Sequence, residues 1–140
     1  MKTESDLYFD IDSYKSKYIM AKHNALGVRG EQLAVEFLEK NNYIILERNW
    51  RCGKSEIDII AKQAHRLIFV EVKTRSSTYF GMPETAVTSK KQTQLIKGAI
   101  EYLHKTQHDG ALRFDIIGVV IKKDCTEIQH IEDAFFPGLE

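Results

Sequence analysis

The chain has 140 residues, 43% hydrophobic and 29% charged, with twenty Lys and Arg balanced by twenty Asp and Glu. That length suits one domain with a real core. No apolar run could span a bilayer and no secretory apolar stretch opens the sequence, so a membrane or exported protein is not expected. Cys52 and Cys125 make neither a metal-type pair nor a disulfide framework, and a reduced, cytoplasmic setting is the expectation. The charge is unevenly spread. Arg48 to Lys105 holds eleven Lys or Arg against five Asp or Glu, and the remainder nine against fifteen. A basic half of this kind could steer a polyanion.

Residues 1–19 are polar and acidic-leaning, with Tyr8, Phe9, Tyr14 and Tyr18 in no clean period. They are expected to form a flexible extension with a short helix near 11–18. Met20 stands directly before a domain start, so translation from Met20 would make 1–19 a start-site artefact, and 20–137 is expected to be the single domain. Asn24 to Asn41 predicts the first helix, capped by Asn24, striped by Leu26, Leu33, Ala34, Phe37 and Leu38, and stopped at Asn41–Asn42. Gly27, Gly30, Glu31, Ala34 and Leu38 share one side. Glu31 therefore faces inward among small residues, and the two glycines point to a close approach.

Tyr43 to Trp50 reads as the first strand, turned by Arg51-Cys52-Gly53 into two more. Residues 56–61 alternate, with Ile57, Ile59 and Ala61 opposing Glu56, Asp58 and Ile60. Residues 67–74 alternate likewise, with Ile68, Val70, Val72 and Thr74 opposing Leu67, Phe69, Glu71 and Lys73. A loop centred on Ala64–His65 would set Asp58 opposite Glu71, with Cβ atoms about 5 Å apart. Like charges so placed repel unless a proton or cation compensates. Two such carboxylates suit a hard divalent ion, and Lys73 on the same face could reach a phosphate or an attacking water. A Glu-x-Lys strand opposite an Asp equally suits a solvated ion-pair network.

Residues 75–87, with Ser76, Ser77, Gly81 and Pro83, predict a loop. Tyr79 there could stack on unpaired bases, and Phe80 is expected to fold back onto the core. Thr88 or Ser89 caps a second helix to about Lys105, with Leu95, Ile96, Ala99, Ile100 and Leu103 buried. Lys90, Lys91 and Gln94 sit in its first turns, where cations oppose the helix dipole unless an anion approaches. Together with Arg75 and Tyr79 they form the expected nucleic-acid contact set. After a turn at His108-Asp109-Gly110, Arg113 to Ile121 is a strongly apolar strand. Its connection through a helix favours a right-handed crossover to a parallel neighbour. Asp115 is expected to pair with Arg113 or to mark a strand end, with support of the carboxylate site from behind as the further alternative. Glu127 to Ile131 suits an edge strand, and Phe135, Phe136 and Pro137 a closing apolar clasp.

The order helix, three strands, helix, strand, carrying Glu31, Asp58 and Glu71-x-Lys73, resembles the PD-(D/E)xK nuclease superfamily. More closely, the chain resembles the YraN family of predicted bacterial endonucleases, relatives of archaeal Holliday-junction resolvases. The matching stretches are Gly27-x-x-Gly30-Glu31, Tyr43 to Arg51, Glu56 to Ala61, Phe69 to Arg75, Phe80-Gly81-x-Pro83-Glu84-x-Ala86-Val87 and Arg113-Phe114-Asp115. They cover roughly residues 20–120 in family order. The resemblance implies an α/β, restriction-endonuclease-like αβββαβ core, its mixed central sheet flanked by helices. It implies a Mg²⁺ or Mn²⁺ site built from Asp58, Glu71 and Glu31, with Lys73 steadying the scissile phosphate and its water. It further implies DNA, branched or junction DNA in repair or recombination, as the substrate, and a homodimer. Ile57 stands where the superfamily name has proline, and Ser55 replaces a frequent glycine; neither position ligates metal. A nucleic-acid-binding module without hydrolysis is the alternative on the same fold.

Overall fold

A computed structural model describes residues 11–76 and 87–135. Five strands form one sheet in the order β1-β2-β3-β4-β5: β1 (Ile44–Cys52), β2 (Ser55–Gln63), β3 (Arg66–Arg75), β4 (Leu112–Ile121) and β5 (Thr126–Ile131). The β3–β4 pair is parallel and the others antiparallel. Helix α1 (Ile11–Lys40) covers one face and α2 (Ser89–Thr106) the other. This is the αβββαβ order of a restriction-endonuclease-like fold, with β5 added at one edge. No described helix is long and apolar enough to cross a membrane.

Helix α1 runs unbroken for 30 residues, which corrects both the short helix at 11–18 and the cap at Asn24. No glycine or proline interrupts Ile11 to Asn24, so nothing stops the helix before Asn24 and that residue lies inside it. Its other end is as expected. The Tyr43 and Asn42 N–H groups donate to the Leu38 and Glu39 carbonyls, and Asn42 adopts a left-handed φ of 67°. Those paired bonds around a left-handed residue close the helix C-terminus.

Ala34, Val35 and Leu38 of α1 pack on Ile59, Ala61, Ile68, Val70, Ile117 and Val119. On the opposite face Leu95, Ala99 and Tyr102 of α2 pack on Ile57, Ile60, Leu67, Phe69, Phe114 and Ile116. Ile100, expected to be buried, is 57% exposed, because the inward line of α2 runs through positions 95, 99 and 102 and leaves residue 100 well round the helix. Phe135 closes the α2 layer by stacking on Phe114, with centroids 5.1 Å apart. Phe136, Pro137, Tyr79 and Phe80 lie outside the described residues.

One expected close approach is present. A Cβ at Gly30 would collide with Thr74 of β3, including its own Cβ at 2.7 Å, so side-chain rotation cannot relieve the clash. Gly27 meets nothing within 4 Å. Gly30→Ala is therefore expected to destabilise the fold by about 1–3 kcal/mol through overpacking, despite a helix-propensity gain of about 1 kcal/mol. An unchanged urea midpoint would show that α1 does not press on β3.

Candidate active site

The β2–β3 hairpin turns at Ala64–His65, with Gln63 paired to Arg66 and Ile59 to Val70. Pairing stops there, just where Asp58 would face Glu71. Beyond this point Asp58 Oδ2 accepts the Val72 N–H at 2.8 Å, so a side chain replaces the next backbone partner. Alternation also breaks at Asp58. Ile57 packs toward α2 whereas Ile59 and Ala61 pack toward α1, which corrects the expected shared face of the three. The carboxylate of Asp58 is left close to the plane of the sheet, where a strand N–H points.

The parting of the two strands leaves a cleft of about 350 Å³, lined among others by Gly27 and Glu31 of α1, Asn49 of β1, Glu56 and Asp58 of β2 and Lys73 of β3. Glu31 approaches from the α1 layer. Glu71 and Lys73 share the side of β3 that carries Phe69 toward α2. Glu71 is 4% exposed, with its Oε1 at 4.0 Å from Lys73 Nζ and 3.7 Å from Lys91 Nζ. The expected quartet of Glu31, Asp58, Glu71 and Lys73 thus assembles at one strand break, and Lys91 joins it. Lys90 is exposed, while Gln94 and Arg75 are half-buried.

Burial and then the Asp58 charge push the Glu71 carboxyl up to about 8. Burial likewise raises Asp58, opposed by the Val72 N–H and by Lys91. Burial and Asp58 raise Glu31. Asp58 and Glu71 lie close enough for each to shift the other's titration, and two like charges so placed favour the state in which one of them carries a proton. Glu31 Oε1 and Glu71 Oε2 are buried without a hydrogen-bond partner. Buried acceptors of this kind need a proton or a cation. Among the described residues no three of His, Cys, Asp and Glu are grouped closely enough to hold a metal ion as they stand. The arrangement is a close pair with a third carboxylate across the cleft.

A pH dependence follows. Because the Glu71 carboxyl is raised from 4.5 to about 8, the folded chain holds a proton that the unfolded chain gives up in that interval. The metal-free protein is expected to lose stability as pH rises from about 5 to 8, and Mn²⁺ is expected to restore most of the loss. Melting curves across that range check this; flat curves without metal would contradict it.

Asn49 also belongs to the cleft, which it lines with Glu31, although it is not among the site residues expected from sequence. It holds φ at 50° within β1, and its side-chain amide favours the ionised Glu31 carboxylate. The available signal was an Asn, a poor strand former tolerant of the left-handed region, in the middle of a strand. Glu56, at the rim of the same cleft, was read only as the polar side of β2.

The family model described as "Uncharacterised protein family UPF0102" matches residues 30–119. The chain belongs to this family. The UPF0102 protein of Christiangramia forsetii is 50% identical over 117 residues, covering 84% of this chain and 98% of that relative. The UPF0102 protein of Phocaeicola vulgatus is 48% identical over 120 residues, or 86% and 99% of the two chains. That of Geobacter metallireducens is 48% identical over 118 residues, or 83% and 97%. The UPF0102 match spans Glu31, Asn49, Asp58, Glu71, Lys73 and Lys91, so every charged residue of the candidate site lies within it.

Proposed function

We propose that this UPF0102 protein is a Mg²⁺- or Mn²⁺-dependent endonuclease hydrolysing phosphodiester bonds in DNA, with branched or junction DNA in repair or recombination as the substrate. The observation that carries the reading is the Asp58–Glu71 pair, left with an orphaned buried oxygen at a strand break and faced by a second orphan on Glu31. Asp58, Glu71 and Glu31 would hold the ion, and all three are hard oxygen donors suited to it. When bound, such an ion polarises phosphoryl oxygens and lowers the pKa of its water.

The chain's own side chains supply the rest. Lys73 Nζ sits at the cleft with its side chain 34% exposed, placed to donate to a non-bridging phosphate oxygen or to fix the attacking water. Asn49, beside Glu31 in the cleft lining, would orient that carboxylate through its amide. The first turn of α2 carries no acidic residue, so its N–H groups and Lys90 present a cationic end to flanking phosphates. The homodimer rests on the resemblance to resolvases alone. The binding module without hydrolysis is the second reading, favoured because no three such ligands among the described residues are grouped to hold a metal ion as they stand.

The test is cleavage of end-labelled four-way-junction, forked and linear DNA with Mg²⁺, with Mn²⁺ and with chelator. Metal-dependent nicking, strongest on the junction, is expected. Salt-dependent binding without nicking in either metal would establish the second reading.

A further inference from the structure

Helix α2 begins at Ser89, and its cap, Thr88 Oγ1, accepts the Lys91 N–H at 3.2 Å. This pins Lys91 in the first helical turn, where an ammonium opposes the helix dipole and no acidic residue of that turn offsets it. The compensation comes from across the layer, from Glu71 Oε1 at 3.7 Å. Lys73 reaches the same oxygen at 4.0 Å. One carboxylate oxygen therefore serves two ammonium groups, while Glu71 Oε2 is buried with no partner.

A divalent ion on the Asp58–Glu71 pair would make the second ammonium surplus. Lys73 is fixed two residues from Glu71 on the same strand. Lys91 belongs to another element, its side chain is 33% exposed, and its four-carbon stem can rotate outward. We propose that Lys91 is the resident counter-cation of the Asp58–Glu71 pair, displaced when a divalent ion binds, and that its released ammonium then takes a phosphate of the nucleic-acid strand at the start of α2. This rests on the metal-site reading above and adds an order of events: ion first, strand second.

The experiment is calorimetric titration of Mn²⁺ into the wild-type chain, Lys91→Met, Lys91→Arg and Asp58→Asn, followed by junction-DNA binding in Ca²⁺ at several salt concentrations. Lys91→Met is expected to bind Mn²⁺ on the order of ten-fold more tightly, because a neighbouring positive charge is gone. It should bind DNA more weakly, with the salt slope reduced by about one. Lys91→Arg keeps the charge and should behave as wild type in both titrations. A structural role for Lys91 would not tighten ion binding. Loss of Mn²⁺ binding in Asp58→Asn, with Lys91→Met equal to or weaker than wild type, would overturn the inference and leave the site standing. Binding that survives in Asp58→Asn would put the ion elsewhere and overturn both.

Discussion

Asp58→Asn is expected to lose metal-dependent cleavage by about a hundred- to a thousand-fold, the range seen when one preorganised charge-stabilising group is removed, while gaining stability. The asparagine side-chain oxygen can still accept the Val72 N–H that Asp58 Oδ2 takes at 2.8 Å. The like charge beside the buried Glu71 disappears, and with it the second-largest cause of that carboxyl's upward shift. Each unit of relieved pKa shift corresponds to about 1.4 kcal/mol, so the melting temperature at pH 8 without metal should rise. Sites that trade stability for chemistry behave in this way. If Asp58 belonged to an ion-pair network, the same variant would melt lower and activity would fall only with the fold.

Asp115→Ala is expected to cost about 3–5 kcal/mol, the usual result of leaving a buried charge without its partner. Asp115 is 1% exposed. Its Oδ1 accepts Arg113 Nε at 2.8 Å and the Asp133 N–H at 3.0 Å; its Oδ2 meets Arg113 at 2.7 Å and His130 Nε2 at 2.7 Å. Burial alone would raise its carboxyl, but these donors outweigh it and hold it below the usual range. Arg113 also donates to Tyr43 Oη at 2.8 Å, so the network ties β4 and β5 to the segment that follows α1. Urea unfolding measures the loss. A folded, stable Asp115→Ala with cleavage abolished would instead make Asp115 a support of the active site. The contacts favour the Arg113 pairing, one of the three roles that the sequence left open.

Much of the site was legible because hairpin register is arithmetic. Once the turn is set at Ala64–His65, Asp58 must fall opposite Glu71, and Lys73 must share the side of Glu71. Helical spacing put Glu31 inward in the same way, and Gly30 marked where α1 presses on Thr74. The break in alternation at Asp58 was not legible, since a period-two reading assumes an unbroken pleat. Ile57 looked like a neighbour of Ile59 when it serves the other core. The start of α1 was missed because Asn24 has the chemistry of a cap, and only the absence of a breaker before it says otherwise. Asn49 was passed over because its left-handed backbone is a property of β1 in place. Lys91 belongs to the expected nucleic-acid contact set, and its pairing with Glu71 is not legible because sequence does not show that the first turn of α2 lands on that carboxylate.

The proposed activity requires an ion held between Asp58 and Glu71. Crystals grown in millimolar Mn²⁺ and measured near the manganese edge would locate it directly. An anomalous peak between the two carboxylates, with Glu31 turned toward it and Lys91 drawn away, is the expected map. Ordered Asp58 and Glu71 side chains in contact with each other, with no peak between them, would contradict the account.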